Sequence, residues 1–471
     1  MKSRTMTTVS TINPASEEIL ASYEIMSATQ VYEIVKQART AFGGWKNLGT
    51  NKRAEFMHNF AQELRKNKTR LARTCTGEVG KAIKESLSEV EKCAWTMEFY
   101  GDNGPTFLND EVVNTDARKS IIAFQPIGVI GSIMPWNFPY WQALRFAAPS
   151  LIAGNTIVLK PASATLQCGI EIENSFKNIG LPDNVFKTII GGSSTAEALI
   201  DSEVSGVTFT GSVSVGAKVA SRAAGQWKKC VLELGGSDPF IVCKDADIEK
   251  ASSGAVKGRF INCGQSCIAS KRFFVAESVA NDFIEKFVQK TEKLVVGDPL
   301  SESTDIGPLV NKSALENIEL LVQDAINNGA DVLTGGRTAK INGKGYFYKP
   351  TVLSRISTKM RIAREEVFGP VAPITIVEDE REAIKLANDS EYGLGASIWT
   401  EDLDKAEQFS RAIESGIVTV NNVVASDPRV PFGGIKKSGF GRELSRYGLL
   451  EFVNIKSIRF YDQLVHHHHV E

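Results

Sequence analysis

The chain has 471 residues, enough for two or three domains of the usual ~100–200 residues, each with a core of its own. Its 54 Lys and Arg nearly balance 55 Asp and Glu, so no global field recruits nucleic acid or an acidic membrane, while a small neutral or anionic substrate is left open. The longest apolar stretches, such as 121–139, are broken by Gln125, Pro126, Gly128 and Asn137, well short of the ~20 apolar residues of a membrane span, and a soluble protein is expected.

Residues 1–14 are polar and Thr/Ser-rich without an apolar secretory core, which makes a cytoplasmic location the expectation. Ser27 ahead of Val31, Ile34, Val35, Ala38 and Phe42 predicts an N-capped amphipathic helix, and Phe56, Phe60 and Leu64 mark a second. The second helix carries His58, read as a surface or structural residue, because the remaining four histidines form the run His466–His469, which resembles part of an expression tag. Catalysis by a histidine base and a histidine metal site are therefore not expected. Seven cysteines without a Cys-x-x-Cys pair fit neither a disulfide framework nor a zinc site, so free thiols are expected and no metal.

From Ile121 the pattern changes to short apolar runs closed by turn residues, at 127–134, 156–159, 185–190 and 207–210, with helix-length segments at 141–153 and 193–201 between them. This is the order of βαβ units around a largely parallel sheet. A second alternating series starts near Ile241, with strands at 273–276 and 372–377 and helices at 280–295 and 313–328, which places a boundary near Gly235-Gly236. The fold class is α/β. Segments 119–125 and 455–461 are strand-like pieces at the margins, readable as arms that pair with another subunit or as ordinary edge strands.

Five places could carry chemistry. Cys267 follows a Gly-Gln turn and is flanked by small residues that leave its sulfur accessible, with Cys263 as its competitor. Glu233 ends an apolar run before two glycines, where desolvation would raise its pKa toward that of a neutral-pH base; the alternative is a strand-edge carboxylate in solvent. Asn137, between Pro135 and Pro139, offers a fixed amide donor for an oxyanion, or only a cap. Gly211 and Ser212 follow a strand and open a helix, as a weak phosphate-binding signal, and Lys160 and Ser163 end another strand where ribose or phosphate could bind.

These segments, in this order, resemble the aldehyde dehydrogenase superfamily along nearly the whole chain, joined by Glu365-Glu366-Val367-Phe368-Gly369-Pro370 and by Pro431-Phe432-Gly433-Gly434 through Gly441-Arg442-Glu443. The resemblance implies a Rossmann-type cofactor domain (1–107 and 127–235), an α/β catalytic domain (236–448), a small β oligomerisation arm (108–126 and 449–462) and a tail at 463–471. It further implies Cys267 as nucleophile, Glu233 as general base and Asn137 as oxyanion donor, with thioester hydrolysis favoured over transfer to coenzyme A. Glu366 and Phe368 would meet the nicotinamide ribose and ring, and Trp136, Lys160, Pro161, Ala162, Ser163, Gly211, Ser212 and Leu234 would complete the cofactor site.

Many NAD-preferring members carry Glu where this chain has Ser163, so NADP is expected as the preferred cofactor, with NAD as the alternative. Arg145 and Ser426 resemble the carboxylate-binding pair of succinate-semialdehyde dehydrogenases, which makes succinate semialdehyde the expected substrate; the family resemblance implies a homo-oligomer, dimer or tetramer. The other readings are a short hydroxyaldehyde dehydrogenase (lactaldehyde or glyceraldehyde), a coenzyme A-acylating semialdehyde dehydrogenase, and a catalytically silent family member.

Overall fold

The computed structural model describes residues 7–461; the tail at 463–471, with its His466–His469 run, lies outside the described residues. The first helix, Ala28–Asn47, starts at the expected Ser27, whose hydroxyl accepts from the Gln30 N–H while Gln30 Oε1 accepts from the Ser27 N–H at 2.8 Å. It buries Val31, Val35 and Ala38. The next, Thr50–Lys66, buries Met57, Phe60 and Leu64 and packs with the long helix Ile83–Phe107. His58 lies here, 3.4 Å from Asp102.

The first large sheet has six strands in the order Gly439–Phe440, Lys229–Glu233, Gly206–Thr210, Val129–Ile133, Thr156–Lys160 and Phe186–Thr188, all parallel except the first. The strand expected over 185–190 is shorter because Asn184 adopts a left-handed φ of 65° and the Val185 N–H bonds back to Pro182 in a turn. The second large sheet has seven strands, Asp331–Thr334, Thr351–Ser354, Val371–Val377, Ser270–Ala276, Asp238–Val242, Gly395–Trp399 and Ile417–Val420, with the first of these antiparallel to its neighbour. The chain thus leaves one sheet at Glu233 and enters the next at Asp238, across Gly235-Gly236. Its C-terminal motif returns, since Gly439 and Phe440 pair with Glu233 and Leu232. The helix expected over 280–295 is Glu277–Glu292, ending earlier because Val295 turns to meet Asp305 through both its N–H and its carbonyl.

The two marginal segments pair with each other: Val453–Phe460 runs antiparallel to Lys119–Pro126, and Glu111–Val112 lies on the far side of the latter. The outer edge of Val453–Phe460 has no partner strand among the described residues. No described helix is long and apolar enough to cross a membrane.

Candidate active site

In an open parallel sheet, ligands bind beyond the carboxyl ends of the strands, where the strand order reverses. That reversal lies between Val129–Ile133 and Gly206–Thr210. The turn holding Asn137 follows the first of these strands, and Gly211-Ser212 follows the second. Pro139 opens the helix Pro139–Ala153 at a position where its missing N–H costs nothing. Two N–H groups of that first turn, on Tyr140 and Trp141, donate to Glu89 Oε1, each at 2.9 Å, and Glu89 is itself paired with the buried Lys81. A carboxylate at a helix N-terminus is favoured by the backbone dipoles, so this contact fixes the turn that precedes the helix.

Cys267 lies beyond an unusual loop. Asn262, Cys263 and Gly264 have φ values of 49°, 55° and 73°, three successive left-handed residues. Such conformations cost of order 1–3 kcal/mol for each non-glycine residue and persist only where the surroundings enforce them. Here Asn262 Nδ2 donates to the Asn137 carbonyl at 2.9 Å, the Asn262 N–H donates to Glu85 at 2.9 Å, and the Val310 N–H donates to Gln265 Oε1 at 2.9 Å. The buried Arg259 reaches the Gly264 and Gly369 carbonyls, both at 2.8 Å. Gly264 is required: a Cβ there would stand 2.3 Å from the Gly369 oxygen.

The loop separates the two cysteines. Cys263 is buried in an apolar cluster with Phe260 and Phe287, whereas Cys267 is half-buried at the edge of the other main core. Packing is thus the observed setting of Cys263. Asn137 Nδ2 donates to the Gln265 carbonyl at 3.0 Å, two residues before Cys267, and its Oδ1 has no hydrogen-bond partner among the described residues. An amide nitrogen has two hydrogens, so one remains beyond the bond to Gln265. Burial pushes the Cys267 thiol up to about 11, opposed by Lys271 and Arg145. Lys271 also donates to the Cys267 carbonyl at 2.6 Å and lies 3.2 Å from Glu366, which in turn accepts from the Gly236 N–H at 3.0 Å. A Cβ on Gly235 would come within 2.3 Å of the same carboxylate, which explains the paired glycines.

Glu233 ends its strand fully buried, with neither carboxylate oxygen hydrogen-bonded among the described residues, so the solvent-facing alternative is excluded. Its pKa is raised well above the carboxylate range by burial and by Glu443, with Arg145 and Arg442 pulling the other way. Glu443, in the C-terminal motif, forms a buried ion pair with Arg145 Nε. The Arg145 guanidinium lies 4.5 Å from the Phe432 ring centroid, and its Nη2 lacks a hydrogen-bond partner among the described residues. Ser426 is buried elsewhere on this wall, and its hydroxyl accepts from Lys92 at 2.7 Å. Lys92 and Glu443 are site neighbours that residue-level reading did not single out.

Beyond the strand Gly206–Thr210, the helix Val213–Ala224 begins at Ser212 with no side-chain cap, leaving its first N–H groups for another acceptor. A Cβ on Gly216 would meet Leu234 at 2.4 Å, so the helix start can lie close to the strand end only with glycine. Lys160 is buried, and burial alone lowers its pKa to about 8. Ser163 follows the Pro161-Ala162 turn and donates to the Gly191 carbonyl at 3.4 Å. Trp136 and Phe368 meet edge-to-face with centroids 5.8 Å apart. A free helix start, a cation without an opposing charge and a hydroxyl in place of an acid are the groups that a phosphorylated dinucleotide needs.

The sequence profile described as "Aldehyde dehydrogenase family" matches residues 1–458. A Synechocystis protein named probable succinate-semialdehyde dehydrogenase, NADP(+), is 45% identical over 451 residues, covering 96% of this chain and 99% of its own. A succinate semialdehyde dehydrogenase, NAD(P)+, of Escherichia coli is 42% identical over 448 residues, with 95% and 96% covered. The solved structure of a Streptococcus pyogenes succinic semialdehyde dehydrogenase with NADP+ is similar at a TM-score of 0.93 and 33% identity, with 96% of this chain and 100% of that one covered. With this likeness over nearly its whole length and a half-buried cysteine at the meeting of two α/β sheets, the chain belongs to the aldehyde dehydrogenase family and is an NAD(P)-dependent aldehyde dehydrogenase.

Proposed function

We propose that the enzyme oxidises succinate semialdehyde to succinate with NADP, through a thioester on Cys267. The observation that carries the reaction is the tie between Asn137 and the Gln265 carbonyl, which holds an amide donor beside the segment bearing Cys267. The Cys267 thiolate attacks the aldehyde carbon, and the carbonyl electron pair moves to oxygen, where the second Asn137 N–H and the Cys267 backbone N–H receive it. Collapse of that oxyanion re-forms the C=O bond and expels the hydrogen of the former aldehyde carbon as hydride, leaving a thioester on Cys267; the nicotinamide, when bound, would supply the acceptor for that hydride. Gly211, Ser212, Leu234, Lys160, Pro161, Ala162 and Ser163 would hold the dinucleotide, with Trp136, Glu366 and Phe368 at the ring end. Glu233 then takes a proton from water, the resulting hydroxide adds to the thioester, and the Cys267 thiolate leaves. Burial and Glu443 raise the Glu233 pKa, which strengthens the carboxylate as a base, while Arg145 and Arg442 favour the ionised form that takes the proton. Replacing Asn137 with Ala should lower kcat by about 10²–10³-fold, the usual effect of deleting one oxyanion donor. Stopped-flow measurement of the first turnover checks this, and an undiminished first turnover would place the donor elsewhere.

The cofactor assignment rests on Ser163 and Lys160. Replacing Ser163 with Glu would put an anion where a 2′-phosphate is to bind, and the ratio of kcat/KM for NADP to that for NAD should fall about 100-fold or more. A ratio that stays within about threefold would remove Ser163 from the ribose site.

The succinate semialdehyde assignment is supported by the names of the relatives and by the Arg145 and Ser426 positions. One edge of Arg145 is engaged with Glu443, and this observation favours the second reading, an uncharged hydroxyaldehyde such as lactaldehyde or glyceraldehyde. An aldehyde panel assayed with NADP and NAD, with and without coenzyme A, separates these and the acyl-transfer reading. A cytoplasmic homo-oligomer, joined through the open edge of Val453–Phe460, and the division into cofactor, catalytic and arm segments complete the proposal.

A further inference from the structure

The helix Ile83–Phe107 presents two charged residues one turn apart to the start of the helix Pro139–Ala153. Glu89 is fully engaged there, with Lys81 and two backbone N–H groups. Lys92 is not. Its Nζ lies 4.3 Å from the Trp141 ring centroid and donates to the neutral Ser426 hydroxyl, and no carboxylate oxygen lies within 4.0 Å of it among the described residues. Asp427, the nearby acid, is clamped by Arg429 through bonds of 2.9 and 2.6 Å. Burial and the neighbouring Arg145 lower the Lys92 pKa to about 8, while Cys93, Asp427 and Glu89 act in the other direction. The same Arg145 acts on the Cys267 thiol, so Lys92 and the nucleophile lie within electrostatic reach of one guanidinium.

A half-buried ammonium facing a second cation and bonded only to a hydroxyl is poorly compensated, and an anion settling between these donors would relieve the imbalance. We propose that Lys92, with Ser426, receives the distal carboxylate of the aldehyde substrate, and that Lys92 sets the preference for an acid-bearing aldehyde over an uncharged one. The proposal rests on the semialdehyde reading above and gives that substrate the free cation that the Arg145–Glu443 pair does not provide.

The test compares kcat/KM for succinate semialdehyde and for butyraldehyde, which has the same carbon count without the acid, in wild type, Lys92→Met, Lys92→Arg and Ser426→Ala. Lys92→Met should lower succinate semialdehyde kcat/KM by roughly 30–100-fold, mainly through KM, and weaken inhibition by succinate by a similar factor, in keeping with loss of a charge-assisted hydrogen bond. Butyraldehyde oxidation by the same preparation should change by less than about threefold, Ser426→Ala should show a smaller loss of the same kind, and Lys92→Arg should recover most of the preference. A wild-type preference for the semialdehyde that survives Lys92→Met overturns the proposal alone, and so does an equal loss on both substrates, which would mark Lys92 as a packing residue. A wild-type enzyme without that preference overturns the semialdehyde reading and the proposal together.

Discussion

Replacing Cys267 with Ser should reduce aldehyde oxidation by about 10⁴-fold or more while leaving the fold and cofactor binding intact, the scale seen when a covalent nucleophile is lost. A serine hydroxyl is far less acidic than a thiol, and no histidine is available to deprotonate it; among the described residues the only one is His58, beside Asp102. The reaction depends on that thiol becoming a thiolate. Burial sets it at about 11, so in the cofactor-free enzyme the reactive fraction at neutral pH is small. Alkylation by iodoacetamide should therefore accelerate about tenfold per pH unit between about pH 7 and pH 10, because each unit closer to the thiol pKa multiplies the thiolate by ten. Bound cofactor should flatten this profile if its positive ring end completes what Lys271 and Arg145 begin. A Cys267→Ser enzyme with more than about a hundredth of wild-type activity would transfer the nucleophile's role to another group, and a pH-independent alkylation rate would show a thiol already ionised.

Replacing Glu233 with Gln should separate the two halves of the reaction. The first turnover, seen as a burst of reduced cofactor, is expected to persist, because attack on the aldehyde uses Cys267 and Asn137. Steady-state turnover should fall about 10²–10⁴-fold, since thioester hydrolysis loses its base, and acyl-enzyme should accumulate on Cys267 in mass spectrometry. Gln is nearly isosteric and carries no charge, so burial at this position imposes no added desolvation cost on it. If burst and turnover decline together, Glu233 acts on the thiol before acylation, and the base for hydrolysis must be sought at Glu443, the charged neighbour that acts on it most strongly.

What could be read from the chain alone follows a physical rule. The helices and strands carried by period and caps were readable: Ser27 ahead of its apolar stripe, and the apolar runs before turns. Cys267, Glu233 and Asn137 were visible as candidates because each sits in a dense local pattern of glycine, proline and small residues. Lys92 was not, since a lone lysine on an amphipathic helix has the same sequence signature whether its ammonium meets water or a tryptophan ring. Only the packing of Ile83–Phe107 against Pro139–Ala153 removes the water. Glu443 was visible as part of a motif, yet its partnership with Arg145 is a long-range pairing that no local period encodes. The strand Gly439–Phe440 is too short to show alternation at all. Its place beside Glu233 is set by Gly439, whose φ of 120° and closeness to the Leu232 carbonyl admit no side chain.

That short strand governs how the cleft can move. The polypeptide crosses between the two sheets at 234–237 and again over 421–438, a return anchored in the first sheet where Gly439 pairs with Glu233. A plate fastened by two neighbouring bolts can rock about the line joining them, but it cannot swing wide without drawing one out. Here the second fastening grips the residue proposed as the base, so any wide gape of the cleft would pull Glu233 from its position. Substrates must therefore be admitted by rearrangement of side chains along the walls, and the enzyme's tolerance for bulky aldehydes will be decided by those walls and not by a hinge.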